Sequence, residues 1–325
     1  MRKMIVILLC MVFAMAGCSK DALTGYLSAL EETSNIPSGK KQVEVSINMD
    51  FNKVNMSAED LDKIKYLEHM DFTLEVTHDV VDYDEKAIIK GYADIGGLGI
   101  DATLYADGEN TYLYIPMLGG YVDLEQYQDT TVPNDDLGIK TDSDDGQEGQ
   151  WEDYIDQGEE FQPIIDKFTE LLTDKDVMKG ERTYITTEDG QIKTTIYTVN
   201  LNETQLKELL REAVYTLTTQ EISNSIPIIS KEDKTDFLSE IDKMTEEFTL
   251  ENFSSTAYVD FDGRLVRQDM ELEIAIKNDG ESGSLNRINV TVNITNSGLG
   301  EKQDMEFPEV TEDMLLEEGW EKSWN

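Results

Sequence analysis

The sequence predicts an α+β protein: an antiparallel β-sheet covered by helices on one face only. Three observations carry that reading. Short segments alternate strictly between apolar and polar residues, as strands with one dry and one wet face do. Tight-turn pairs such as Gly96-Gly97, Asp107-Gly108, Asp189-Gly190 and Asp262-Gly263 join consecutive segments, as hairpins do. The strong amphipathic helices stand together between two sets of strands, so they are available to cover one sheet.

The elements follow in order. Leu23, Tyr26, Leu27 and Leu30 recur at helical spacing, and Asn35-Ile36-Pro37-Ser38-Gly39 ends that helix. Val43, Val45, Ile47, Met49 and Phe51 alternate as a half-buried strand. Ser57 caps a second short helix. Phe72 to Val76, Ile88 to Ile95, Ile100 to Leu104, Thr111 to Ile115 and Tyr121 to Leu124 form a meander. After an acidic stretch, Phe161, Ile164, Ile165, Phe168, Leu171 and Leu172 make an amphipathic helix. Arg182 to Thr187 and Ile192 to Leu201 form a hairpin. Leu206, Leu209, Leu210, Ala213, Val214 and Leu217 mark a helix capped by Asn202. Phe237, Leu238, Ile241, Met244 and Phe248 mark another. Phe253 to Phe261, Leu265 to Ile276 and the alternating Ile288, Val290, Val292 and Ile294 return to strands. Met305, Phe307 and Pro308 close the strand region, and Met314, Leu315, Trp320 and Trp324 end the chain. About eleven strands result, with no fixed repeat period.

The N-terminus reads as a targeting segment. Arg2 and Lys3 precede an apolar run from Met4 to Ala16, shorter than the roughly 20 residues a membrane-spanning helix needs. Met15-Ala16-Gly17-Cys18 resembles the bacterial lipobox, which implies cleavage after residue 17 and acylation of Cys18. The expected organisation is a signal peptide over 1–17, a lipidated N-terminus and short helix over 18–40, and one domain over 41–325. Cys10 leaves with the signal, so no disulfide can form within the mature chain, and the core must hold the fold. The expected location is the extracytoplasmic face of a cell membrane, held by the lipid on Cys18.

Charge excludes some partners. The chain carries 27 Lys and Arg against 68 Asp and Glu, a net of −41 that becomes −43 once Arg2 and Lys3 are removed. Such a field repels nucleic acid and anionic headgroups and attracts cations and basic protein partners. The acids are densest over Gln126 to Glu160. There apolar periodicity is lost, and residues 128–156 read as a mobile insertion. Thr141 to Glu152 has the length of a calcium loop, but Thr141 and Ser143 stand where carboxylate ligands are needed, so no metal is expected.

No enzyme chemistry stands out. His69 and His78 are the only histidines, and Gly280-Glu281-Ser282-Gly283-Ser284 lacks the second glycine of a nucleophile elbow. With 68 acids, a pair suited to glycoside cleavage is expected by chance. No thiol remains for zinc, and Gly96-Gly97-Leu98-Gly99 precedes a strand, without the helix N-terminus that cradles phosphate. No catalytic residue and no cofactor are assigned.

The lipobox at Cys18, the run Val43-Glu44-Val45-Ser46-Ile47-Asn48-Met49, and Tyr197-Thr198-Val199-Asn200-Leu201 leading into a helix carry a resemblance. So do Asp262-Gly263-Arg264-Leu265 and Asp304-Met305-Glu306-Phe307-Pro308. With this layout the chain resembles the LolA/LppX-like lipoproteins of Gram-positive bacteria over most of its mature length. The resemblance implies a strongly curved half-barrel with helices on its concave face, around a cavity that in better-known members holds acyl chains or lipid anchors. The chain departs from the soluble carriers in being anchored itself and in its acidic insertion. The expected function is binding or carrying a lipid or acyl chain between sheet and helices. The cavity candidates are Val45, Ile47, Leu104, Phe161, Ile165, Phe168 and Leu172. The alternative is a structural or protein-interaction lipoprotein without a cavity.

Overall fold

The computed structural model describes residues 21–81, 84–108, 110–124, 157–219, 248–277 and 284–316. Cys18, the insertion at 128–156 with its calcium-loop segment, the helix expected over 237–244, Trp320 and Trp324 lie outside the described residues. The described chain runs α1 (Ala22–Ser34), β1 (Ser38–Phe51), α2 (Ala58–Lys65), β2 (His69–Val81), β3 (Asp84–Ile95), β4 (Leu98–Ala106), β5 (Thr111–Ile115) and β6 (Gly120–Asp123). It continues with α3 (Gln157–Leu171), β7 (Val177–Thr187), β8 (Gly190–Val199), α4 (Glu203–Thr219), β9 (Phe248–Val259), β10 (Leu265–Ile276) and β11 (Leu285–Ser297).

All eleven strands form one sheet in the order β6-β5-β4-β3-β2-β1-β11-β10-β9-β8-β7, every neighbour antiparallel. The sheet is two meanders joined where the first strand pairs with the last, with Val43 opposite Ile294 and Ile47 opposite Val290. It does not close: β6 and β7 are its two edges. Nor is it flat. The turn between β7 and β8 lies three strand spacings from β11, about 14 Å in a flat sheet. Yet the backbone N–H of Gly298, just past β11, donates to the Asp189 carboxylate in that turn at 3.0 and 3.1 Å. Lys40 of β1 pairs with Glu188 of the same turn at 3.5 Å. This is the open, curved α+β half-barrel that the alternating strands and grouped helices predict.

Local sequence explains the ends of the elements. Asp21 caps α1 by accepting from the Thr24 N–H at 2.6 Å, and Ser57 caps α2 by accepting from the Asp60 N–H at 3.1 Å. At α4 the cap is reciprocal: Asn202 Oδ1 accepts from the Gln205 N–H at 3.1 Å, while Gln205 Oε1 accepts from the Asn202 N–H at 2.9 Å. Gln205 Nε2 also donates to the Leu171 carbonyl at 2.8 Å, which ties the start of α4 to the end of α3. Gly190 and Gly263 turn two hairpins at φ of +94° and +87°, a conformation that favours glycine.

Three details differ from the sequence reading. Phe248 does not end a helix; it opens β9, where it is buried against Leu206 and Ile274. β7 begins at Val177, ahead of the expected Arg182, because a bulge between Lys179 and Arg182 breaks the alternation that marks a strand. Met305 to Pro308 form no strand. That segment belongs to an irregular run that touches β2, where the Gln303 N–H donates to Asp79 at 2.9 Å. It then reaches the β6 edge, where the Leu316 N–H donates to the Tyr121 carbonyl at 2.8 Å. A covered edge is closed to pairing with another chain.

Candidate functional site

Directly paired residues in an antiparallel ladder share a face. On one face the register links Val122, Leu113, Leu104, Ile89, Val76 and Lys41, and one step along the strands Leu74, Val43 and Ile294. Further on it links Val290 to Leu272, Gln268 to Ala257, Ala257 to Tyr197 and Val199 to Val177. One largely apolar face thus runs from edge to edge.

The two halves of this face differ. Over β7 to β10, α1 lies on the sheet. Tyr26 and Ala29 pack with Val177, Tyr197, Val199, Ala257, Val259 and Leu265 in a buried cluster, and Tyr26, Val199 and Ala257 have no exposed surface. Inside it, Gln268 Nε2 donates to the Tyr26 hydroxyl at 3.1 Å and to Ser255 Oγ at 2.9 Å. Burial pushes the Tyr26 phenol up to about 12, and the bond from Gln268 opposes that shift. Leu206 and Leu210 of α4 pack with Phe248, Ile274 and Leu272 in a second cluster on the same half. Over β1 to β5 the same face carries no such cluster among the described residues. Val45, Ile47, Phe72, Val76, Ile89 and Leu104 are only half-buried, and Leu74 is 41 % exposed.

The expected cavity residues therefore divide. Leu172 is buried and Phe168 packs beside it in the cluster under α1. Ile165 is 47 % exposed, and the side chain of Phe161 lies outside the described residues. Val45, Ile47 and Leu104 lie on the other half, on β1 and β4, and take no part in that cluster. The cluster that takes up Phe168 and Leu172 of the α3 stripe contains none of the three strand residues. Helical spacing shows that α3 has an apolar stripe but not which half of the sheet it will meet.

Among the described residues neither histidine bonds a serine, threonine or cysteine side chain. His69 bonds Asn48 at 2.8 Å and Asp71 at 2.7 Å at the exposed start of β2, and His78 bonds the Ile36 carbonyl at 3.3 Å. Among the described residues no cluster of acids, histidines or cysteines could hold a metal ion, and no helix is long and apolar enough to cross a membrane.

No protein-family model matches the chain, and no curated protein matches its sequence. Among solved structures it is similar to the crystal structure of LolA superfamily protein NE2245 from Nitrosomonas europaea, at 10 % identity and a TM-score of 0.19. The alignment covers 92 % of this chain and 99 % of that one. So low a score carries no argument, and the half-barrel rests on the strand order and contacts above.

Proposed function

We propose that this is a lipid-anchored extracytoplasmic protein that binds an apolar chain, of a lipid or an acyl group, on the open half of its sheet. One observation carries the reading: the apolar face continues across β1 to β5 beyond the helices that cover β7 to β10. Each aliphatic side chain left half-covered there forgoes part of the about 1.5–3 kcal/mol that full burial supplies, and an apolar ligand would recover it. The anchor fits the layout. Cys18 stands three residues before the α1 cap Asp21, so acylation there would hold the start of α1 within about 10 Å of chain from the membrane.

One observation favours the alternative of an interaction lipoprotein with no ligand cavity: the space between α1 and the sheet is filled with packed side chains. Native mass spectrometry of the protein purified from cells, with displacement of a fluorescent fatty acid, tests both readings. Copurified lipid, and probe uptake abolished by Val45→Asp or Leu74→Asp, supports the carrier. Probe uptake that is absent, or unchanged by both substitutions, overturns it.

A further inference from the structure

A cleft of about 560 Å³ lies on the covered half of the sheet between α1, the β7–β8 hairpin and the β9–β10 turn. Its wall carries Lys179, Arg182 and Lys193. In a chain with 68 acids and 27 cations a basic cluster runs against composition. Lys40, Lys53, Lys90, Lys167, Arg267 and Arg287 all sit on carboxylates. These three have no carboxylate at ion-pair distance among the described residues. Lys179 Nζ instead lies 5.7 Å from the Tyr197 ring, and Lys193 Nζ lies 6.0 Å from the Tyr184 ring.

The backbone gathers the cations. In a regular strand residues 179 and 182 would point to opposite faces. Here Gly180 and Glu181 of β7 together oppose Ile196 of β8, Lys179 pairing with Tyr197 and Arg182 with Thr195, so both cations share the helix-side face with Lys193. Such bulges re-aim side chains next to functional sites. Three carboxylates also line the cleft. Arg264 engages two of them, Asp260 and Asp262, each at 2.9 Å. Glu32 is the third. At the same cleft Phe261 is 92 % exposed.

We propose that this cleft binds an organic anion, a phosphate or carboxylate group held by Lys179, Arg182 and Lys193 with its apolar body against Phe261. The site is separate from the open apolar half and does not depend on it.

Calorimetry on the mature chain, titrated with phenyl phosphate, benzoate, inorganic phosphate and vesicles containing phosphatidic acid, tests the site. Phenyl phosphate or benzoate should bind, and Arg182→Gln should weaken binding about tenfold, the scale of a lost charge-assisted hydrogen bond. Phe261→Ala should weaken phenyl phosphate but leave inorganic phosphate unchanged. Binding to vesicles but not to the soluble anions would make the source a lipid headgroup. If Arg182→Gln does not fold, Glu32→Gln decides: removing the opposing carboxylate should tighten binding severalfold. No binding of any of these anions, or binding indifferent to both Arg182→Gln and Glu32→Gln, overturns the proposal and leaves the cations as guards of the β7 edge.

Discussion

Tyr26 shows how much one residue of α1 contributes. Its ring fills the cluster under the helix and its hydroxyl accepts from Gln268, which keeps a second bond to Ser255. Tyr26→Phe keeps the packing and should cost about 1 kcal/mol, the net worth of one hydrogen bond. The phenol adds a pH dependence whose sign is fixed. In the unfolded chain it ionises near 10, but in the fold only near 12. The folded state thus holds a proton that the unfolded state has lost, and the contribution, complete below pH 10, disappears as pH rises to about 12. Urea midpoints at pH 8, 10.5 and 12 should fall more steeply in wild type than in Tyr26→Phe; parallel falls would refute the assignment. Gly25 gives a second test. Alanine ordinarily favours a helix by about 1 kcal/mol over glycine, but here a Cβ would stand 2.7 Å from the Tyr197 hydroxyl oxygen. Gly25→Ala should therefore destabilise by about 1–3 kcal/mol, as overpacking does, and adding Tyr197→Phe should restore part of the loss. The spacing of Leu23, Tyr26, Leu27 and Leu30 makes α1 legible in the sequence. The need for glycine at 25 is not, because the clashing ring comes from β8.

The elements were legible wherever one period or one turn decides them. Alternation marks β1 and β11, Asp189-Gly190 and Asp262-Gly263 mark two hairpins, and Asn202 and Ser57 mark helix starts, all of which the structure bears out. What escaped depends on partners distant in sequence or on broken periods. No local signal joins Val45 to Val292, and the bulge that aims Arg182 at the helix-side face erases the alternation that would announce the start of β7. α3 lies between these cases: its stripe is plain, but its target is not. Phe168 packs under α1 in the covered half, while the apolar residues of β1 to β5 are half-buried and join no such cluster among the described residues. Phe168→Ala should accordingly cost about 3 kcal/mol, the low end for a truncated core Phe because the residue is only partly buried. Uptake of an apolar probe should not change. A stability loss under 1 kcal/mol with altered uptake would put Phe168 on the ligand path and join the two halves into one cavity.

At the scale of the whole molecule the surplus of 68 acids over 27 cations sets the response to salt. The ion pairs lie mostly at the surface: Lys40 is 45 % and Glu188 68 % exposed, Lys63 67 % and Glu59 80 %. Exposed pairs of this kind contribute about 0–1 kcal/mol each. Self-repulsion at a net charge of −41 acts on the whole fold and favours expansion. Salt weakens both, but repulsion extends over many distances and outweighs a few exposed pairs. Raising ionic strength from 0.01 to 0.15 M shortens the screening length from about 30 to about 8 Å. The urea midpoint should therefore rise with salt. Acid should act in two stages. Towards the pI of about 4.1 protonation relieves repulsion and supports the fold. At lower pH it removes the carboxylates that the fold holds below their ordinary values. Hydrogen bonds from Thr24 lower Asp21, and those from Lys207 and Leu250 lower Glu203; at Asp176 burial is the largest single influence and raises the carboxyl, but bonds from Thr173 and Gln205 together with the charge of Lys175 outweigh it. Their contribution is present above the unfolded carboxylate values and is lost as pH falls through the folded ones. Stability measured in urea should thus rise slightly from pH 8 towards 5 at low salt and fall below pH 4. That rise should vanish in 0.5 M sodium chloride, where the repulsion that acid relieves is already screened. A midpoint that drops as salt is added at pH 8 would mean that the surface pairs, not the net charge, dominate the electrostatics of this fold.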